Sequence, residues 1–435
     1  MKKRNLRTFV IVALCAVLLG GASLAYAFSS REFIGDNPKQ VIPLSDGSAL
    51  IADRMSQSDI DGLMETITDG NGEYLENHLD LRNQFVLERD NFQVMTKDGR
   101  LVEAESEAFS AKLHNNDIGE FEHTFYKIRT GHSVYILPSE LDALPFEFLV
   151  NEQADSFFAC TDTGIYRINP ESLDARLMTS IAYDSEPYDQ LAKRFAEAEG
   201  WNLFWVSNPV VSPTGQWIVY QSNRNYADSL PAEGVSLWLL DTKTGHEQLL
   251  TASRDSTQSA EGFMSSNALL IAEFESDGAG DKKYMLINVE SGAQEPLVWE
   301  QLPNAYIDAI CGKGFIALQS YDDSGIREHI VGLADNGYTD TVAVIEGMLH
   351  NVSFSPSGKQ VAAIMREDKG TIIDTILIID TSNGSIIERN DITDGAILTN
   401  LAWVSDGHLL ITEVTNEKGD VHEASWLYEI GAGNR

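Results

Sequence analysis

Of 435 residues, 66 are Asp or Glu and 31 are Lys or Arg, a formal net charge of −35 at pH 7. That balance argues against nucleic-acid binding and against docking on anionic lipid, both of which select basic surfaces. The apolar content of 43% is enough for a packed core, which excludes a disordered acidic chain. In chain order, Met1–Arg7 is basic, Thr8–Leu19 is apolar, and Ala25-Tyr26-Ala27 forms a small-residue cleavage pattern before Phe28. This is the layout of a secretory signal peptide over residues 1–27. An uncleaved anchor over residues 8–27 is the alternative, since that stretch is just long enough to span a bilayer. Leu14 before Cys15 argues against a lipoprotein site. Residues 1–27 carry four basic and no acidic side chains, so the remainder holds 27 basic and 66 acidic ones, a net of −39. The expected location is therefore extracytoplasmic: secreted, periplasmic or on the cell surface.

Residues 28–84 read as a leader. Leu44-Ser45-Asp46-Gly47 precedes the apolar Ala49-Leu50-Ile51 and resembles a hairpin turn. It predicts either the start of an additional repeat unit or a strand that closes a ring. Ser58–Ile67 places Ile60, Leu63, Met64 and Ile67 on one helical stripe, with Ser58 as N-cap.

From residue 85 to residue 435 the chain repeats. Leu237–Gly245 reads LWLLDTKTG, Tyr284–Gly292 reads YMLINVESG and Leu377–Gly384 reads LIIDTSNG. Each is an apolar run, a polar residue and a glycine four positions on. The frame also fits at Leu333 and Glu429, and upstream at Lys127 and, without the glycine, at Asn169. From Asp241 through Asn288, Leu333 and Asp380 to Glu429 the spacings are 47, 45, 47 and 49, with a gap of 72 between Asn169 and Asp241. A strand ending in a turn with a positive-φ glycine accounts for each copy.

A second turn precedes the first within each period. Ser212-Pro213-Thr214-Gly215, Ser355-Pro356-Ser357-Gly358, Ser405-Asp406-Gly407 and Thr96-Lys97-Asp98-Gly99 each lead into an apolar run. Two hairpins per period means four short strands, which predicts an all-β β-propeller of four-stranded blades. The seven copies predict seven blades, with six or eight as alternatives, carrying small helical decorations.

The runs Asn208-Pro209-Val210-Val211-Ser212-Pro213-Thr214-Gly215 and Asn351-Val352-Ser353-Phe354-Ser355-Pro356-Ser357-Gly358 resemble the inner-strand motif of TolB-type propeller repeats. They are also similar to the propeller part of prolyl-oligopeptidase-family enzymes. The resemblance spans roughly residues 90–435 and implies the propeller fold.

The search for catalytic motifs is mostly negative. There is no G-x-S-x-G elbow, Walker A loop, G-x-G-x-x-G or H-E-x-x-H in the sequence. The repeat leaves no room for a hydrolase domain. The nine histidines are scattered. The sequence thus predicts no catalytic residue, no metal ligand and no cofactor. Calcium enters only through two acidic loops, Asp69–Glu73 and Asp277–Asp281, neither of which matches the full calcium-loop pattern. Cys160 and Cys311 read as two small buried side chains, with a single bridge as the alternative. Trp217, Trp238 and Trp426 read as wedges between sheets. Tyr188, Leu191, Ala192 and Phe195 mark a surface helix in the long gap, which either packs on a face or acts as a lid.

One constellation points to binding. Seven residues before Gly215, Gly358 and Gly407 stand Asn208, Asn351 and Asn400, with His350 beside the second. Three carboxamides at the start of predicted innermost strands could hold a peptide or a polar ligand at the channel mouth. Local capping of the backbone by Asn is the alternative. The expected function is an exported, non-catalytic scaffold for a protein, peptide or cell-envelope polymer, of basic character given the acidic surface. The alternative is an extracytoplasmic enzyme, such as a metal-assisted polysaccharide lyase with residues converging on the channel. Membrane contact is expected only through the N-terminal segment.

Overall fold

In the computed structural model, described residues lie between 31 and 430. Stretches 69–91, 140–145, 180–204, 223–234, 276–281, 298–305 and 334–338 fall outside the description, as do several breaks of at most four residues. The strands form eight sheets, each a blade. The first blade contains β2 (Lys39–Pro43), β3 (Ala49–Asp53), β4 (Phe92–Met95) and β5 (Leu101–Glu103). The second contains β6 (Glu105–Asn115), β7 (Gly119–Thr130) and β8 (Ser133–Pro138). The third is β9 (Phe146–Asn151), β10 (Ser156–Thr161), β11 (Gly164–Ile168) and β12 (Ala175–Leu177). The fourth is β13 (Val206–Val211), β14 (Trp217–Ser222), β15 (Ser236–Asp241) and β16 (Glu247–Thr251).

The fifth blade follows with β17 (Ser256–Phe263), β18 (Ala268–Glu275), β19 (Lys283–Asn288) and β20 (Gln294–Pro296). The sixth is β21 (Tyr306–Gly312), β22 (Phe315–Asp322), β23 (Gly325–Leu333) and β24 (Thr339–Glu346). The seventh is β25 (Leu349–Phe354), β26 (Gln360–Asp368), β27 (Ile372–Asp380) and β28 (Ile386–Ile392). The eighth takes β29 (Ile397–Ser405), β30 (His408–Glu417) and β31 (Asp420–Glu429) from the C-terminus, and β1 (Arg31–Gly35) as its fourth strand.

The ring closes through β1, paired antiparallel to β31 with Phe33 opposite Trp426. Their rings meet edge-on at 5.2 Å. Joining the two ends of the chain in one sheet leaves no gap in the ring at that point. The first strands of neighbouring blades abut one another, from β9 through β13, β17, β21, β25 and β29 to β2. They therefore form the hub.

The structure corrects the blade count from seven to eight. The extra blade is the first, whose β2 and β3 come from the expected leader. The propeller thus begins well ahead of residue 85. Leu44–Gly47 lies between β2 and β3, so it opens an additional unit, and the strand closing the ring is β1. Thr96–Arg100 joins the third and fourth strands of this blade, not its first and second. An insertion hid the unit. A 38-residue insertion separates the paired strands β3 and β4, and the predicted helix lies within it. Asp61, Gly62 and Met64–Thr66 are helical, with Thr66 Oγ1 donating to the Gly62 carbonyl at 2.8 Å.

The second blade breaks the repeat. Only Ala104 separates β5 from β6. The strand β6 abuts β12, the last strand of the third blade, while β8 abuts its hub strand β9. This blade runs from rim to hub, the reverse of its neighbours, with three strands among the described residues. Lys127 falls inside β7, so it is not a turn anchor. The other six anchors end or directly follow third strands.

Turn chemistry explains why those anchors repeat. Asp241 Oδ1 accepts the amides of Lys243 and Thr244, and Asn169 and Asn288 cap their own turns in the same way. The amide four residues on returns to the anchor carbonyl in all three and at Asp380. The glycine there adopts positive φ: +72° at Gly245, +69° at Gly292 and +71° at Gly384. A Cβ at Gly384 would also lie 2.1 Å from the Val342 carbonyl oxygen of the sixth blade. Where the third blade lacks the glycine, Leu173 takes the same conformation at +63°. The buried threonine after two of the anchors adds a lock. Thr242 Oγ1 donates to the Gly215 carbonyl at 2.6 Å and Thr381 Oγ1 to that of Gly358 at 2.8 Å, tying the two turns of a blade together.

Between the blades lie apolar clusters. Ile364, Ile376, Ile378 and Leu409 are fully buried between the seventh and eighth, and Leu239, Leu269, Ile271 and Ile287 between the fourth and fifth. Trp217, Trp238 and Trp426 each pack against such a cluster, the wedge role predicted for them. Among the described residues, no helix is long and apolar enough to cross a membrane. Residues 1–27 and the predicted helix bearing Tyr188, Leu191, Ala192 and Phe195 lie outside the described residues.

Candidate functional site

The three predicted asparagines all sit in hub strands, and each strand bulges there. The register of β13 against β14 shifts between Ser207 and Val210, and that of β25 against β26 shifts between His350 and Ser353. Asn208 and Asn351 occupy those bulges with φ of +47° and +50°. Asparagine is among the few residues that enter this left-handed region at modest cost. In the eighth blade the shift falls between Leu398 and Asn400, one residue earlier than glycine counting implies. The turn there is one residue shorter, and Asn400 is not among the positive-φ residues. The structure thus makes Asn208 and Asn351 equivalent and sets Asn400 slightly apart.

The side chains of these asparagines reach across blades. Asn351 Nδ2 donates to the Thr399 carbonyl of β29 at 3.0 Å, and Asn400 Nδ2 to the Lys39 carbonyl of β2 at 3.4 Å. Asn208 Nδ2 donates to Gln221 Oε1, and Gln221 Nε2 passes the link to the Gln258 carbonyl of β17 at 2.6 Å. Each carboxamide therefore connects to the hub strand of the following blade, instead of capping its own turn. Asn208 and Asn351 remain exposed, and Asn400 and His350 are half-buried. Sequence reading missed Gln221. Its signal was faint: a polar residue inside an otherwise apolar strand, WIVYQS.

A buried carboxylate was also missed. Asp374 is fully buried and takes a bidentate pair from Arg366, at 2.7 Å from Nε and 2.8 Å from the other guanidinium nitrogen. It also accepts the Leu398 amide at 2.7 Å, while Arg366 donates to the Leu398 carbonyl at 3.1 Å. The hydrogen bonds Arg366 donates to Asp374 raise its pKa above the ordinary value. In the first blade, Lys39 and Asp53 form a buried ion pair across β2 and β3.

Two serine–histidine contacts resemble nucleophile–base pairs. Ser139 Oγ lies 3.3 Å from His123 Nε2, and Ser320 Oγ lies 2.6 Å from His329 Nε2. All four side chains are at most 4% exposed, so no substrate meets them in this state. Cys160 in β10 and Cys311 in β21 form no disulfide with each other. Burial, helped by Glu261, pushes the Cys311 thiol up to about 12, which disfavours the nucleophilic thiolate. Among the described residues, no three His, Cys, Asp or Glu side chains converge as a metal site. Both acidic loops considered for calcium lie outside the described residues.

No family model matches the sequence, and no curated protein matches it. Solved structures do. An oligogalacturonate lyase in complex with manganese is 8% identical, with a TM-score of 0.47 over 76% of this chain and 99% of its own. TolB from Acinetobacter baumannii is 12% identical, with a TM-score of 0.34 over 74% and 79%. A prolyl endopeptidase is 9% identical, with a TM-score of 0.45 over 96% of this chain and 60% of its own. The structural neighbours include both families whose repeats the sequence resembles, while the β-propeller itself is read from the eight sheets of this chain.

Proposed function

We propose that this chain is an exported, non-catalytic propeller that holds a protein, peptide or cell-envelope ligand at one end of its hub. Asn208, Asn351, Asn400 and His350 form the contact rim. The observation that carries this reading is the pair of bulges at Asn208 and Asn351. Both hold an unusual backbone conformation at equivalent points of two hub strands, with the side chain exposed. Strained conformations of this kind concentrate at binding sites.

The hydrogen bonding favours a particular ligand chemistry. Asn351 and Asn400 commit their amide nitrogens to neighbouring blades. Their carbonyl oxygens are then the groups they offer, and these accept hydrogen bonds. A donor-rich ligand such as a basic peptide segment suits that rim, and an acidic chain would attract it. The test is quantitative binding of basic and acidic peptide libraries to the chain from residue 28. The reference is a variant with Asn208→Ala, Asn351→Ala and Asn400→Ala whose folding is checked by circular dichroism. Preferential retention of basic peptides, lost in the variant, supports the rim. Equal retention by a folded variant discards it, and turnover of a substrate abolished by Asn351→Ala would replace binding with catalysis.

A further inference from the structure

A second surface lies at the rim of the second blade. Its sheet has three strands among the described residues, where the other seven have four. With β8 toward the hub, the open place is outside β6. Elsewhere the rim edges are guarded. The rim strands β5, β12 and β20 are three residues long. The longer ones, β1, β16, β24 and β28, each carry a register shift against their partner. Short strands and bulges are devices that stop a sheet edge from recruiting another strand. The β6 edge has neither. It runs for 11 residues, pairs with β7 from Glu105 through Asn115 without a shift, and contains no proline.

The backbone direction along this edge can be read from one end. The His114 carbonyl accepts Thr163 Oγ1 of the third blade at 2.7 Å, so it points away from β7. Alternation along an antiparallel ladder turns the backbone groups of Ser106, Ala108, Ser110 and Lys112 the same way. Among the described residues no strand pairs with that side of β6, and all four residues are exposed. Glu105 and Glu107 are exposed as well, and share one face of the strand. Arg129 and Lys127 stand directly opposite them on β7, so charge alternates from one strand to the next. A further strand with basic side chains opposite the two glutamates would continue that alternation, which is the favourable cross-strand arrangement.

We propose that β6 accepts a fourth strand from a partner protein, an extended segment with Lys or Arg at alternating positions. Ladder hydrogen bonds to the outward backbone would supply affinity, and Glu105 and Glu107 would supply the choice of side chains. A second copy of this chain fits less well, because two chains of net charge −35 repel each other. The site shares no residue with the hub rim and does not depend on it.

Fluorescence anisotropy of the full chain with labelled extended peptides tests the proposal. The probe alternates Lys and Thr. One control replaces Lys by Glu, and another methylates the amides along one backbone edge of the peptide. The Lys peptide should bind, the Glu peptide about fivefold more weakly and the methylated one about tenfold more weakly. Binding should survive the combined Asn208→Ala, Asn351→Ala and Asn400→Ala change, which separates this edge from the hub rim. Ser110→Pro removes an outward amide without touching the ladder to β7, and should weaken binding by about tenfold. The double change Glu105→Gln and Glu107→Gln, on exposed side chains, should erase the preference for Lys over Glu peptide, and decides the matter if Ser110→Pro does not fold. The proposal is overturned if the Lys peptide fails to bind at about 1 mM, if the methylated peptide binds equally well, or if the asparagine variant loses binding altogether. It is equally overturned if the folded β6 variants bind as the parent does. Dimerisation of the parent chain that Ser110→Pro abolishes would put a second copy on this edge and overturn the assignment to a basic partner.

Discussion

The seam between the seventh and eighth blades and the seam between the second and third solve the same packing problem by different means. The former is stitched with polar ties. Asp374 and Arg366 clamp both backbone groups of Leu398, and Asn351 reaches Thr399. Trp403 Nε1 donates to the Ser353 carbonyl at 2.9 Å, and the Ser357 amide donates to Asp406 at 3.0 Å. Tyr428 donates to Glu388 across the same seam. The other seam is packed by rings: Tyr135 meets Phe157 across it at 6.3 Å, backed inside the second blade by Phe109 stacked on Phe125 at 5.7 Å and His123 edge-on to Phe125 at 4.9 Å. A polar tie across it is Thr163 Oγ1 donating to the His114 carbonyl at 2.7 Å. Hydrogen bonds fix one register, because each is directional. Aromatic bulk fills space with less demand on register, which suits a blade that runs in reverse and cannot reuse the repeat's ties.

Breaking each seam should separate these two modes. Phe125 is fully buried in the middle of the reversed blade. Phe125→Ala should cost about 3–5 kcal/mol, through lost transfer energy and the cavity left behind. The denaturant midpoint in urea would show it, with Phe125→Leu recovering most of the loss. A loss under about 1 kcal/mol would mean the second blade contributes little to the ring's stability. At the stitched seam, Asp374→Ala leaves Arg366 and the Leu398 amide without their shared acceptor. The expected cost is on the order of 3 kcal/mol. It sits at the low end for a buried pair because the Arg366 side chain is 32% exposed and can turn to water. Asp374→Asn should recover part of this, since an amide oxygen still accepts the Leu398 amide.

The contrast also explains what could be read from the sequence. Turns were legible because few residue types satisfy them: the Asp241, Asn288 and Asp380 anchors, their glycines and the serines at Ser212, Ser355 and Ser405 fall where expected. The propeller followed from their period. The reversed blade was not legible because packing of Phe109, Phe125 and Tyr135 leaves only a generic apolar pattern, compatible with either strand direction. The first blade was obscured by the insertion between β3 and β4. At the candidate site, the asparagines could be found by counting from glycines, but their ties to the next blade could not. Thr399, Lys39 and Gln258 lie far from them in sequence or on another blade, and nothing local announces such a contact. Asp374 and Arg366 looked like ordinary strand residues for the same reason.

A smaller effect tests the turn lock. Thr381 is 3% exposed and donates to the Gly358 carbonyl. Thr381→Val keeps the shape, removes the donor and leaves that carbonyl with one partner fewer. The expected loss is about 1 kcal/mol. The same change at Thr242 should cost a similar amount, because its bond to Gly215 is the same tie in another blade. Val289 follows its anchor in the fifth blade and has no hydroxyl to offer, yet it is 1% exposed. Val289→Thr would therefore bury a new polar group, and only a gain in stability there would show that the lock transfers between blades.

The smallest expected change runs in the opposite direction. Leu173 holds φ of +63° at the turn position that glycine fills in the fourth, fifth and seventh blades. Its amide makes the same return to the anchor carbonyl, at 2.9 Å from Asn169. A left-handed conformation costs a branched side chain roughly 1–2 kcal/mol. Replacing it with glycine removes that strain, at the cost of extra freedom in the unfolded chain worth about 0.5–1 kcal/mol. The half-buried leucine side chain also gives up some apolar contact. The strain exceeds the entropic cost by about 0.5–1 kcal/mol and the lost contact offsets part of that, so Leu173→Gly should stabilise by a few tenths of a kcal/mol. Leu173→Asn should do similarly, because asparagine tolerates this region and keeps more unfolded-state restriction than glycine. Both would appear as a small rise in the urea midpoint with an unchanged slope. A clear fall in both variants would show that the Leu173 side chain holds the turn through packing, and that the third blade departs from the repeat by more than one missing glycine.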